Sequence, residues 1–190
     1  MSVEAAHSSY QFKLSNNRLG LWLFILSDSF VFGGLMVARI YLLGDKRPEL
    51  DQLLGLIVTS VLLVSSFFMN RAETAIAHGD RRNFIVSTII TALLGLGFLV
   101  GVVGVEWRTA QFGPSKDVVG AVFYMMTGMH AFHVLSGVLF LIIVLRNGLR
   151  GHYSAEKHWA VEACANYWHF VDVVWIFFYP ALYLIGIPAK

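Results

Sequence analysis

Ionisable side chains stand inside long apolar stretches of this 190-residue sequence. Asp28 occupies the middle of LFILSDSFVFGG, and His130 and His133 stand three residues apart in TGMHAFHVLSG. A charged group near the centre of a bilayer costs at least about 2.5 kcal/mol to insert, so each such group needs a partner or a function. Asp28 is therefore a candidate for a carboxylate that takes part in proton transfer or faces a partner protein. A protonated acid that is hydrogen-bonded between helices fits its position equally well.

The last apolar stretch carries the densest group of polar residues. At a helical period, one face of the predicted helix carries Glu162, Asn166, His169 and Val173. Asp172 lies three residues after His169. Such a face is costly to expose to lipid, so we predict that it lies against a neighbouring helix. A histidine of the fourth apolar stretch, either His130 or His133, is the expected partner for one of its acids.

Two histidines three residues apart share a helical face and could bind a metal ion or haem. However, HxxH supplies two ligands at most, and the only cysteine, Cys164, lies in another apolar stretch. Haem held between facing helices would need His169 as the second ligand. We therefore predict interhelical hydrogen bonds for these histidines, no metal in this chain, and a buried thiol for Cys164.

Five further residues are candidates for contacts with the membrane interface, with lipid or with another subunit. Arg39 lies near the end of the first apolar stretch, and we expect its side chain to reach toward the headgroups. Glu106 and Trp107 end the third stretch, so we expect Trp107 at headgroup level and Glu106 in water. Trp168 and Trp175 belong to a series of aromatic residues that is too long for an interfacial belt alone. Some of that series is expected to contact lipid or another subunit.

The elements that position these residues follow from composition. Apolar residues make up 57% of the chain and charged residues 14%, which indicates lipid as the solvent. A net charge of +2 without a basic tract argues against a nucleic-acid partner. Because about 20 apolar residues span the hydrocarbon core, we predict an all-α polytopic membrane protein with a bundle of five transmembrane helices in a single domain, residues 1–190. The predicted helices cover 19–43, 53–69 with an extension to 78 left open, 84–105, 118–145 and 161–187.

The N-terminal segment, residues 1–18, is polar and lacks the apolar core of a secretory signal, so the first helix is expected to direct insertion. Lys and Arg divide unevenly between the two sets of alternate loops. The N-terminal segment with the second and fourth links holds eight, and the first and third links with the C-terminus hold five. This bias predicts a cytoplasmic N-terminus and a C-terminus on the opposite side.

Several segments resemble subunit III of the haem–copper respiratory oxidases. YWHFVDVVWIFFYPALYL at 167–184 resembles the last-helix signature of that family nearly unchanged, and TGMHAFHVLSG at 127–137 is similar to its HxxHVxxG segment. GLWLFILSDSFVFGG at 20–34 resembles the helix with a buried, carbodiimide-reactive carboxylate, with Asp28 where cytochrome c oxidases usually have Glu. SSFFMNRAETAIAHGDRR and GVEWRTA match in order as well. The resemblance covers nearly the whole chain, in the five-helix form of many bacterial members.

The resemblance implies a non-catalytic subunit of a proton-pumping terminal oxidase that reduces oxygen to water in aerobic respiration. Haems and copper would then lie in partner subunits and none in this chain. The implied partners are subunit I by direct contact, subunit II and a small subunit IV, with phospholipid bound in the helix bundle, in the bacterial plasma membrane. The chain would sustain proton uptake and protect subunit I during turnover, with Asp28 near the proton-entry side.

The resemblance leaves the electron donor open. Asp at position 28 is similar to the quinol-oxidase branch, whereas FVDVVWIFFYP looks more like the cytochrome c branch. A subunit III of a quinol oxidase and an accessory protein of nitric oxide reduction are therefore alternatives. From a different class, a small haem-binding membrane anchor that uses His130, His133 or His169 would show haem absorbance in the isolated chain. A small transporter would carry substrate in liposomes by itself.

Overall fold

Long helices form one bundle in the computed structural model, which describes the backbone of residues 3–188 and the side chains of residues 12–188. The elements, in chain order, are α1 (Val3–Leu43), β1 (Lys46–Arg47), α2 (Gln52–Ala77), α3 (Arg81–Leu99), a first π-helical segment (Val100–Glu106), α4 (Trp107–Thr109), α5 (Val118–Leu149), α6 (Trp159–Tyr179), a second π-helical segment (Pro180–Leu184) and β2 (Ile187–Pro188). The predicted all-α membrane bundle is confirmed.

Within the described residues, four helical runs are long and apolar enough to cross a membrane. They are Phe12–Leu43, Gln52–Ala77, Arg81–Thr109 and Val118–Leu149. The remaining long helix, α6, has 21 residues and continues into the second π-helical segment. It carries the polar face, and it packs against α1, α2 and α5. Its neighbours therefore shelter its polar groups.

The first helix begins much earlier than the sequence indicated. α1 starts at Val3 instead of residue 19, so the polar segment that was predicted before it is helical from residue 3 onward. The physical reason is the absence of Gly and Pro between residues 3 and 19, which leaves nothing to interrupt helical hydrogen bonding. The side chains of residues 1–11, and Lys190 with its charge, lie outside the described residues.

Other helix ends differ from the predicted bounds by a few residues. α5 continues to Leu149, whereas the extension of the second helix that the sequence left open is present, since α2 ends at Ala77. The helical conformation of the last run ends at Leu184 and not at 187, because Ile185 is extended and Gly186 has a φ of 112°. Gly186 tolerates this φ because it has no Cβ.

Aspartates begin three of the helices. Asp51 Oδ1 accepts hydrogen bonds from the backbone N–H groups of Leu53 and Leu54, at 2.9 and 3.1 Å, at the start of α2. Asp80 caps α3 and Asp117 caps α5 in the same way. Each carboxylate satisfies N–H groups that have no partner within the helix and opposes the positive end of the helix dipole.

The bundle centre is built around α6. Trp168 on α6 fits between Gly95 of α3 and Gly137 of α5. A Cβ atom added at Gly95 would lie 2.5 Å from Trp168 Cη2, and one added at Gly137 would lie 2.8 Å from Trp168 Cε3. Only glycine permits this approach, in keeping with the small residues at helix contacts in membranes.

The outside of the bundle is apolar. On α1, Phe30 and Tyr41 are 73% and 88% exposed, and similar large side chains cover the outer faces of α2, α3 and α5. An apolar exterior around a core that contains polar groups is the arrangement expected for a protein solvated by lipid. At one end of the bundle, β1 and β2 pair in parallel, which holds the C-terminal strand against the loop after α1.

Candidate functional site

Asp28 on α1 meets His133 on α5. Asp28 Oδ2 lies 2.9 Å from His133 Nε2, and the two side chains are 17% and 9% exposed. Asp28 Oδ2 has no hydrogen-bond partner among the described residues, so the two groups approach closely without meeting hydrogen-bond geometry. Phe32 covers the histidine ring, with 4.8 Å between ring centroids. The expectation that His133 would partner an acid of the last helix is therefore wrong, since its partner lies on the first helix.

The other ring nitrogen of His133 is hydrogen-bonded within α5. His133 Nδ1 lies 2.7 Å from the Met129 carbonyl oxygen, which can only accept, so Nδ1 carries a hydrogen. The contact therefore brings two ionisable side chains together between α1 and α5.

A second polar contact joins α6 to α2. Ser66 donates a short hydrogen bond to Asp172 Oδ2, and its oxygen lies 2.9 Å from His169 Nδ1. Because the single hydroxyl hydrogen of Ser66 goes to the carboxylate, His169 Nδ1 must donate to Ser66. Asp172 is 4% exposed, and its Oδ1 has no hydrogen-bond partner among the described residues.

His130 lies in an aromatic pocket. It is fully buried, and its ring packs 4.7 Å from the Trp175 ring and 5.4 Å from the Phe98 ring, measured between centroids. Neither ring nitrogen has a hydrogen-bond partner in the part of the chain that the structure describes. The predicted interhelical hydrogen bond of His130 is therefore not formed there, because aromatic rings occupy the positions next to its nitrogens.

Glu106 faces the bundle interior and not water. It is 2% exposed, and Tyr183 donates a 2.5 Å hydrogen bond to its Oε2. The expected interfacial position of Glu106 is thus wrong. The reason is that Glu106 ends the first π-helical segment, which rotates its side chain toward the second π-helical segment, where Tyr183 lies. Trp107 is half-buried, and its Nε1 donates to Thr127 Oγ1 at 3.1 Å.

Arg39 is also buried, at 2% exposure, so its side chain does not extend to the headgroups as expected. Its guanidinium donates to the backbone carbonyls of Ala181 and Ile185, at 2.8 and 2.7 Å, and to those of Gly44 and Lys46, at 3.0 and 3.2 Å. Such carbonyls lack helical partners because the helices end there. Arg39 therefore joins the end of α1 to the end of the last helical run.

Trp168 and Trp175 contact neither lipid nor a membrane interface. Each is 1% exposed, and their indole N–H groups donate to Ser65 Oγ at 3.0 Å and to Thr59 Oγ1 at 2.9 Å, both on α2. The expected lipid or subunit contact of these two residues is wrong, because α2 supplies hydroxyl partners for the indoles. These hydroxyls were not among the residues predicted from the sequence. Ser65 and Ser66, adjacent in an apolar stretch, were the signal that could have indicated them.

The remaining candidates lie toward the start of α6. Arg18 Nη2 on α1 lies 3.0 and 3.1 Å from the two carboxylate oxygens of Glu162. Asn166 is half-buried on the same face, whereas Val173 is 49% exposed. The predicted polar face is therefore covered at Glu162 and His169 and open at Val173. Cys164 is buried, as expected.

Comparison with known proteins identifies the family. The family profile described as cytochrome c oxidase subunit III matches residues 48–187. The chain is 36% identical to cytochrome c oxidase subunit 3 of Thermostichus vulcanus over 192 residues, which cover 97% of this chain and 93% of the relative. This chain belongs to the cytochrome c oxidase subunit III family.

Other members of the subunit III family agree with this assignment. The cytochrome c oxidase subunit 3 of Xenopus laevis is 37% identical over 182 residues, 89% of this chain and 69% of the relative. That of Synechocystis sp. is 36% identical over 174 residues, 87% of this chain and 74% of the relative. Membership makes the chain a membrane subunit of a respiratory oxidase complex. In the described residues of this subunit III chain, no three His, Cys, Asp or Glu side chains are grouped so that they could hold a metal ion.

Proposed function

We propose that this chain is the non-catalytic subunit III of a proton-pumping haem–copper terminal oxidase, where it contacts subunit I, supports its proton uptake and stabilises it during turnover. The contact between Asp28 and His133 carries this proposal, because it places a carboxyl group beside an imidazole at the boundary between α1 and α5. Subunit II and a small subunit IV complete the proposed complex. The haems and copper lie in the partner subunits.

Cytochrome c is the proposed electron donor. The relatives that match over most of the chain are named as cytochrome c oxidase subunits, which favours this donor over quinol and over a role in nitric oxide reduction. A haem-binding anchor is disfavoured by the histidine contacts. His133 has a contact at each ring nitrogen, and aromatic rings enclose His130.

Phospholipid is proposed to bind the outer surface of α1. A cavity of about 320 Å³ between α1 and α6 is lined mainly by apolar side chains, including Phe32, Met36 and Phe177, and glycine at 33 leaves it open. An acyl chain fits such a groove. The proposed location is a bacterial plasma membrane, with the N-terminus in the cytoplasm, on the basis of eight Lys and Arg against five in the alternate segments. A reporter fused after Lys190 that proved cytoplasmic would reverse this orientation.

Asp28→Asn in the assembled oxidase tests the proposed role. We expect a complex of normal haem content that loses activity severalfold faster during turnover, because the amide cannot exchange a proton with His133. Asp45→Asn, in the exposed loop after α1, is the matched control. Equal inactivation rates for the two variants would show that Asp28 serves only to dock α1.

A further inference from the structure

One face of α6 is turned out of the bundle, into a groove between α1 and α2. Both α1 and α2 pack against α6, but they hardly touch each other. Along the groove, α6 presents Glu162, Asn166 and His169, which are partly exposed, and then Val173 and Ile176, which are 49% and 48% exposed. This face of α6 is therefore open to whatever surrounds the bundle.

Two polar side chains on this face have unused hydrogen-bonding groups. The amide of Asn166 is accessible and has no hydrogen-bond partner among the described residues. His169 Nδ1 donates to Ser66, so Nε2 of the neutral ring is an acceptor. Nε2 is likewise accessible and has no partner within the described part of the chain. The face therefore offers donors and acceptors to a neighbouring molecule.

The depth of His169 restricts what that neighbour can be. His169 lies ten residues after Trp159, the first residue of α6, or about 15 Å along the helix axis. This distance places the imidazole inside a hydrocarbon core that is about 30 Å thick. Acyl chains carry no hydrogen-bonding groups, whereas polar side chains commonly bridge membrane helices. A protein helix is therefore the neighbour that suits this face.

The charge at the start of the groove agrees with a helical neighbour. Glu162 is paired with Arg18, whereas Glu73 on α2 is partly exposed and has neither an ion pair nor a hydrogen bond among the described side chains. The proposed orientation places this end in the cytoplasm, where Lys and Arg flank membrane helices. A basic residue at the cytoplasmic end of a docked helix would then lie opposite Glu73.

Other occupants fit the polar part of the groove less well. The cavity proposed for an acyl chain lies between α1 and α6, and its lining includes neither Asn166 nor His169. A lipid there would leave both polar side chains uncovered. A second copy of this chain, related by a two-fold axis, would bring a second Glu73 and a second imidazole acceptor against the first.

We propose that a transmembrane helix of another oxidase subunit docks in this groove. It presents a hydrogen-bond donor to His169 Nε2, a polar side chain to Asn166 and a basic residue to Glu73. The inference rests on the proposed function, because it identifies the face by which the chain joins the complex.

Photocrosslinking in the purified oxidase complex tests which molecule covers the groove. A diazirine side chain in place of Ile176, about two turns after His169 on the open face, should form a product with another oxidase subunit. Mass spectrometry should locate that product in an apolar peptide that contains a hydrogen-bonding residue. The same diazirine in place of Leu93, which is 61% exposed on α3, provides the reference for products with lipid.

Asn166→Leu tests the polar contact. Because the amide has no hydrogen-bond partner within the described chain, the free energy of unfolding of the isolated chain in micelles should not fall. In the complex, the apparent dissociation constant of the chain should rise about threefold, the average for one hydrogen bond between membrane helices. The ratio of chain to haem that is retained on dilution measures this. Asn147→Leu, at a partly exposed asparagine near the end of α5, is the matched control and should be retained like the wild type.

Products of the probe at position 176 with lipid alone, or with a second copy of this chain, would overturn the proposal. Equal retention of Asn166→Leu and Asn147→Leu would overturn it as well. Haem that copurifies with the chain would still show membership of the oxidase complex. A failure of the docking face is thereby distinguished from a failure of the proposed function.

Discussion

α1 and α6 differ in how much of their surface is buried and in how polar their residues are. α1 is the longer helix, and only 11% of its most apolar window is buried. α6 carries acids, a histidine and an asparagine, yet Trp168, Val171, Asp172 and Trp175 are nearly inaccessible. In water the helix with these polar residues would be the more exposed one. Here lipid solvates apolar surface, so polarity along a helix indicates which face is turned inward.

The two helices also differ in how they are attached. Among the side chains that the structure describes, three polar contacts hold α1: Arg18 with Glu162, Asp28 with His133, and Arg39 with backbone carbonyls. These residues are 10 and 11 positions apart, which corresponds to about 15 and about 16.5 Å along the helix. α6 is held instead by side-chain packing, as with Trp168 between two glycines, and by hydroxyl groups of α2. The polar contacts of α1 therefore lie at separate points, whereas the contacts of α6 extend along its length.

Replacing a tryptophan by alanine on each helix should give the largest difference in the free energy of unfolding. Trp168→Ala on α6 removes a fully buried side chain and should lower the free energy of unfolding by about 3–5 kcal/mol. Trp22→Ala on α1, where the side chain is 59% exposed, should change it by no more than about 0.5 kcal/mol. Unfolding in mixed micelles with increasing denaturing detergent measures both. Similar losses for the two variants would mean that a partner covers Trp22 or that α6 repacks.

Attachment of α1 at separate points predicts a smaller, pairwise effect. In a double-mutant cycle of Asp28→Leu and His133→Leu, the coupling free energy should be about 0.6 kcal/mol and at most about 1.7 kcal/mol, the average and the maximum for polar contacts between membrane helices. The losses of unfolding free energy of the two single variants should sum to more than the loss of the double variant. The reason is that each single variant leaves a buried polar group without its partner. The same micelle unfolding experiment supplies the four free energies. Strict additivity would show that the 2.9 Å approach contributes no net attraction.

The fold was predictable because hydrocarbon thickness fixes helix length and leaves a strong pattern in the sequence. Partner identities were less predictable, since they depend on which faces of two helices meet. The sequence marked Asp28 and His133 separately, but not as a pair. Arg39 and Glu106 were misplaced because the carbonyls and the tyrosine that receive them arise where the helices turn into π-helical or extended conformation. Neither irregularity has a signal in the apolar pattern, apart from Pro180.

Asp80 is an acid exposed to water, and it contrasts with the acids that lie between the helices. Asp80 lies between α2 and α3, fully exposed, where the backbone N–H and then the side chain of Asn83 donate to it and lower its pKa. The lowered pKa means that the folded state favours the carboxylate. Its stabilisation is present above the pKa of the unfolded chain and is lost as the pH falls through the lower pKa of the folded state.

Asp80→Ala should therefore destabilise the chain slightly at neutral pH, by loss of the cap of α3, and the difference from the wild type should shrink as the pH falls below the range in which aspartate titrates. Thermal unfolding of both proteins across that range measures the effect, with Asp45→Ala as a control in an uncapped loop. A difference that stays constant with pH would assign the effect to helix propensity at this position, because a contribution from the carboxylate must vanish once it is protonated. Asp80 differs from Asp28 in the solvent that surrounds it. Water can replace the partners of Asp80 on the surface, whereas lipid offers none to the acids between the helices.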